Sequence, residues 1–145
     1  MLIAEIQAYV MYYACIIYSH TSMFATQRIE IGPGNELEIS QSARKILRFA
    51  HEKITSGHLE QRSLVFPLFM AGFASTDAED KTLAVDLIRQ MEKDSISGNT
   101  RATRELLEVV YERQDASFSR LGHSLDVDWI QVMLERGLKV VAIGL

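Results

Sequence analysis

The first 24 residues space their apolar positions three or four apart, which is typical of a helix. We predict a helix over residues 2–24, and residues 6–27 contain no Asp, Glu, Lys or Arg. Because apolar residues occupy most of its circumference, we expect this helix to be packed on most sides. A pair of strands is the alternative, since β-branched and aromatic residues are frequent, but the length of the run favours a helix. The apolar positions are Ile3, Ile6, Tyr9, Val10, Tyr12, Tyr13, Ile16 and Ile17.

Five further apolar patterns with helical spacing follow along the chain. Residues 32–35 (Gly-Pro-Gly-Asn) separate the first two patterns and are predicted to be a turn or loop, as are residues 120–124. Gly57 and Gly137 are placed to end helices. Residues 139–143 are expected to be extended or to form a short helical tail. The predicted helices span roughly 41–56, a start at 63–66 to about 74, 77–94, 100–116 and 127–136.

Polar residues at the start of several patterns are predicted to cap the helices. Thr76-Asp77-Ala78-Glu79 matches a capping box, in which the Thr and Glu side chains accept hydrogen bonds from each other's backbone N–H groups. The other candidate caps are Ser40 or Ser42, Asn99 or Thr100, and Asp126 or Asp128.

The segment 61–74 is the most apolar after the first helix and is expected to form the central helix of the core. Pro67 is expected in its first turn, where a missing N–H costs little. Ala71 and Gly72 are small, so a neighbouring helix can approach closely there. Phe69 and Trp129 are expected to be buried in the core.

These patterns predict an all-α fold: one domain over residues 1–145 with five or six packed helices. A length of 145 residues and a hydrophobic content of 48% allow a real core. The apolar residues at the end of the chain lead us to expect a fragment of a larger helical domain, although a complete short protein stays open.

Charge and cysteine content exclude several classes of function. A net charge of −4 lacks the basic footprint of a nucleic-acid-binding protein, and Arg44, Lys45 and Arg48 are interpreted as a solvated helix face. The single cysteine, Cys15, cannot build a disulfide framework or a zinc cluster within the chain and is expected to be a small buried hydrophobe. The first helix carries too many polar groups and lacks the basic start of a signal peptide, so we predict a buried helix and no membrane segment.

No residue set argues for chemistry, and we assign no catalytic, cofactor-binding or metal site. The four histidines, His20, His51, His58 and His123, lack a metal-binding pattern and are interpreted as surface or capping residues. Asp126 and Asp128 are interpreted as caps rather than as an acid–base pair. The acidic residues Asp77, Glu79, Asp80 and Asp86 lack the spacing of a calcium loop.

The order of several short motifs resembles the C-terminal part of the regulatory domain of fungal zinc-cluster transcription factors. The resemblance covers about residues 8–143, and its motifs are weak individually but ordered as in that family. They are an aromatic-Ala-x-Ile-Tyr pattern within Tyr12–Ser19, the run Phe66-Pro67-Leu68-Phe69-Met70-Ala71-Gly72, the acidic start Asp77–Asp80, Gly98-Asn99, Tyr111-Glu112-Arg113 with Asp115, and Asp128-Trp129.

The departures from that family also carry information. Phe66 and Tyr111 stand where the family often has Trp, which keeps an aromatic for packing. Ser19, His20 and Thr21 stand where an Arg is common. Members of the family carry an N-terminal zinc cluster of six cysteines, which this chain with its one cysteine cannot supply.

The resemblance implies a nuclear protein that regulates transcription through protein–protein contacts, with a protein partner or a second copy bound to apolar helix faces. The acidic charge and the missing cysteines lead us to expect no direct nucleic-acid binding by this chain, and the sequence does not identify an inducer. The alternative is a small helical scaffold or ligand-binding protein without a transcriptional role; an enzyme is the weakest alternative. A pocket with convergent polar groups around His20, His51 or Asp126 would favour ligand binding or catalysis.

Overall fold

Six helices make up most of the computed structural model, which describes residues 3–21, 33–56, 64–94, 99–121 and 127–137. Within these ranges the structure contains no strand, and the predicted all-α fold is confirmed. The helices are α1 (Ile3–Thr21), α2 (Pro33–Ser56), α3 (Val65–Ala74), α4 (Ala78–Asp94), α5 (Asn99–Leu121) and α6 (Trp129–Glu135).

Helix α3 lies at the centre of the molecule, as its sequence predicts. It packs against α1, α2, α4 and α5, and nine of its ten residues are buried. Pro67 occupies the third position of the helix, where its missing N–H leaves no hydrogen bond unmade. Phe69 meets Trp129 of α6 edge-to-face with ring centroids 4.9 Å apart, so the two predicted core rings are in direct contact.

Helices α1 and α2 form an antiparallel pair along one side of α3. The order of their contacts shows the direction: the Tyr9 ring packs on Phe49, Lys45 donates a hydrogen bond to the Tyr13 hydroxyl, and His20 faces Glu38. The buried positions of α1 recur with helical spacing and are Ile6, Val10, Ala14 and Ile17.

Helices α4 and α5 form a second antiparallel pair that also packs against α3, and α4 contacts α2 as well. Arg104 of α5 makes a two-point contact with the Glu92 carboxylate of α4 and a third contact, of 3.1 Å, with Glu108. Arg89 of α4 contacts the same Glu108 at 3.1 Å. The Arg104 side chain is mostly buried, which makes this network stronger than an exposed pair.

Two predicted helix boundaries are wrong. Helix α2 begins at Pro33, inside the segment predicted as a turn or loop. Proline at a helix start keeps a helical φ and gives up no hydrogen bond, so it opens the helix rather than breaking it. Ser40 and Ser42 therefore lie within α2 and do not cap it, and Ser42 is buried. Helix α5 continues to Leu121, beyond the predicted end at 116 and into the predicted loop.

The predicted caps are confirmed in part. Asp128 caps α6, accepting hydrogen bonds of 3.1 Å from the N–H groups of Ile130 and Gln131, and Gly137 ends that helix with a positive φ of 63°. At α4 the carboxylate of Asp77, not the hydroxyl of Thr76, accepts the N–H of Glu79 at 3.0 Å. Thr100 is the second residue of α5 rather than its cap. The predictions for Gly57, Asp126, the Asn99 side chain and residues 139–143 lie outside the part of the chain that the structure describes.

Candidate functional site

The C-terminal half of α3 is the place where the motif residues meet. A methyl group added at Gly72 would lie 2.8 Å from the Tyr111 hydroxyl, 2.9 Å from Leu107 Cδ2 and 3.0 Å from Ala84 Cβ. Real side chains essentially never approach that closely, so only glycine fits between α4 and α5 at this position. The predicted role of Gly72 in close helix packing is confirmed.

Side chains of α5 complete the hydrogen bonds at the end of α3. The last carbonyls of a helix have no partner within it, and here they are buried. The Tyr111 hydroxyl donates to the Gly72 carbonyl at 3.0 Å, and the Gln114 amide donates to the Phe73 carbonyl at 2.9 Å. Ser75 adds a third bond, from its hydroxyl to the Ala71 carbonyl at 2.7 Å.

Tyr111 is therefore a structural donor rather than a reactive group. Burial raises the pKa of its phenol above the ordinary value, and the negative charge of Asp80 adds to the shift. The neutral hydroxyl is the form that donates to Gly72, and the raised pKa keeps the phenol neutral to a higher pH. The sequence identifies Tyr111 as part of a motif. It does not predict the role of Gln114, because the amide donates its hydrogen bond to a residue 41 positions away.

The outward side of α1 exposes apolar side chains. Over residues 5–21, the exposed residues of α1 are Glu5, Ala8, Met11, Tyr12 and Cys15. We define the α1 outward face by the four uncharged residues of this set, which follow Glu5. Tyr12 is 62% exposed and Met11 38%. The predicted burial of Cys15 is wrong, because its side chain is exposed. The prediction that α1 is packed on most sides is confirmed for residues 5–21, most of which are buried or half-buried, but one apolar stripe of the helix is left uncovered.

Half-buried aromatic rings border this face on the side of α2. Tyr13 packs edge-to-face on both Tyr12 and Tyr9, with centroids 5.1 and 5.0 Å apart, and the Lys45 ammonium lies 4.7 Å from the centre of the Tyr13 ring. These contacts hold Tyr13 in the α1–α2 contact, while the neighbouring Tyr12 points away from the core. The apolar surface is thus presented by a firmly packed helix.

The histidines do not converge on a site. His20 is buried, contrary to its interpretation as a surface or capping residue, and its Nε2 lies 3.6 Å from a Glu38 carboxylate oxygen. His51 is exposed, as predicted. It lies 13 residues beyond Glu38 on α2, which is about 20 Å along a helix. His58 and His123 lie outside the described residues.

Several of the described carboxylates serve as caps or form ion pairs. Asp77 and Asp128 cap helices, and Asp80 pairs with Arg44 at 3.8 Å. Across the described ranges, no three His, Cys, Asp or Glu side chains are grouped so that they can hold a metal ion. Within the same ranges, no helix combines the length and the apolar character needed to cross a membrane.

An open groove beside Tyr111 is too small to serve as an ordinary ligand pocket. Its volume is about 190 Å³, whereas pockets for drug-sized ligands hold about 300–1,000 Å³. Its walls are polar and apolar side chains of α4 together with Tyr111 of α5. The lining residues are Lys81, Thr82, Val85, Asp86, Arg89 and Tyr111.

Comparison with known proteins gives one match. The sequence model of the fungal specific transcription factor domain matches residues 2–143. This range contains all six helices and confirms the resemblance carried by the ordered motifs. No curated protein and no solved structure matches the chain.

Proposed function

The chain belongs to the family of fungal specific transcription factor domains, and on that premise we propose that it regulates transcription through protein contacts made by the α1 outward face. Family membership supports the role in transcription. The exposed apolar residues of α1 support the choice of surface, because large exposed apolar patches mark interaction sites.

The contrast with the other helices makes this surface stand out. Most exposed positions of the remaining long helices carry charged side chains, such as Arg48 on α2, Asp86 on α4 and Glu112 on α5. Charged surfaces of this kind stay hydrated and do not favour contact with an apolar partner. The α1 outward face has no charged side chain from residue 6 onward, so a partner can cover it without leaving a buried charge unpaired.

A role without catalysis fits the same observations. The Tyr111 phenol, whose pKa is raised by burial, is engaged at the end of α3, and the groove beside it is small. We therefore propose a binding domain and not an enzyme. A scaffold without a transcriptional role remains the alternative to be separated by experiment.

We further propose that the chain acts in the nucleus without contacting DNA itself. Binding to duplex DNA depends on basic side chains that neutralise phosphates, and the net charge here is −4. A gel-shift assay with random-sequence duplex DNA at physiological salt tests this directly. We expect no shifted band; a salt-sensitive complex would overturn the proposal.

A tethered reporter assay tests the transcriptional role. The whole chain is fused to a heterologous DNA-binding module, and reporter output is compared with that of the module alone. We expect the fusion to change reporter output and Tyr12→Glu to abolish the change, because a carboxylate on the α1 outward face opposes apolar contact. Leu37→Glu is the matched control, since Leu37 is 61% exposed and lies on α2; it should behave as the parent.

The outcomes test the transcriptional role and the α1 outward face separately. An unchanged reporter for the parent fusion would favour the scaffold. Equal output from the parent and Tyr12→Glu would show that the partner contacts a surface other than the α1 outward face. Sedimentation of the purified chain shows whether the occupant is a second copy, and proteins captured by the parent but not by Tyr12→Glu identify another partner. A fluorescent fusion that stays outside the nucleus would contradict the proposed location.

A further inference from the structure

We draw no further inference here: the strongest candidate, the uncharged surface patch that forms the α1 outward face, belongs to the surface already proposed for protein contacts, and nothing in the described part of the chain shows whether a second copy, another protein or a further segment covers it.

Discussion

Helices α1 and α3 look alike in sequence but differ in their surroundings. α3 has no charged residue, and α1 has no Asp, Glu, Lys or Arg after Glu5. Yet α3 is buried along nearly its whole length, whereas α1 exposes Met11 and Tyr12. The reason lies in their neighbours. α3 packs against α1, α2, α4 and α5 and touches α6 through Phe69 and Trp129, whereas the main contacts of α1 are with α2 and α3. An apolar run thus predicts that burial of the helix is favourable. It does not predict whether residues of the same chain or a partner cover the helix.

The largest expected effect comes from removing a ring of α3. Phe69→Ala should lower the free energy of unfolding by about 3–5 kcal/mol, because the fully buried ring leaves a cavity against Trp129. Trp129→Ala should cost a similar amount. Urea denaturation followed by circular dichroism measures both variants. A loss below about 1 kcal/mol in each would show that α3 is not the core helix.

A smaller effect is expected from filling the close approach at Gly72. Gly72→Ala should destabilise the protein by about 1–2 kcal/mol. Overpacking costs about 1–3 kcal/mol, and the higher helix propensity of alanine offsets up to about 1 kcal/mol of that cost. The same substitution should cost less in a Tyr111→Phe background, since the hydroxyl is the nearest obstacle at 2.8 Å. Equal costs in both backgrounds would contradict the geometry.

Tyr111→Phe alone should cost about 1 kcal/mol, the usual value for one lost hydrogen bond, and it should change the response to alkali. Burial raises the pKa of the Tyr111 phenol, whereas in the unfolded chain the pKa is about 10. The unfolded state therefore loses this proton first. The contribution of the group is constant below about pH 10 and declines as the pH rises further.

Urea midpoints at pH 8 and above pH 10 measure this response. The parent should lose more stability between the two conditions than Tyr111→Phe, and the difference isolates Tyr111 from the other tyrosines. Parallel losses in the two proteins would show that the phenol is not held in its neutral form.

The smallest effect is expected on the open side of α1. Tyr12→Ser should change the free energy of unfolding by no more than about 0.5 kcal/mol, as is usual for exposed positions. The same denaturation experiment measures it beside Phe69→Ala. A loss above about 2 kcal/mol would mean that Tyr12 is buried in the isolated chain, and the contrast between α1 and α3 would disappear.

Local signals predict the features of this molecule that depend on neighbours in sequence. The central helix, the packing role of Gly72, the cap at Asp128 and the stop at Gly137 all follow from residue type and spacing. The start of α2 at Pro33 is also a local signal, but it has two opposite interpretations. A Gly-Pro-Gly segment predicts a turn, while proline is equally favoured in the first turn of a helix.

Features that depend on distant neighbours could not be predicted. The hydrophobic pattern of α1 does not say which of its apolar sides meets α2 and α3, so the exposure of Cys15 and Tyr12 appears only in the structure. Burial of His20 has the same cause, because its partner Glu38 lies on another helix. For the candidate surface, the sequence supplies a helix without charges, and the fold decides which part of it faces outward.

The hydrogen bonds at the end of α3 also have a consequence for how the chain folds. Tyr111 and Gly72 are 39 residues apart, and Gln114 and Phe73 are 41 apart. Local helix formation cannot complete these bonds, and the loop between the partners must close first. The end of α3 therefore becomes fully hydrogen-bonded only when α5 docks. We expect the two helices to open together, so that their backbone amides exchange hydrogen in one cooperative step.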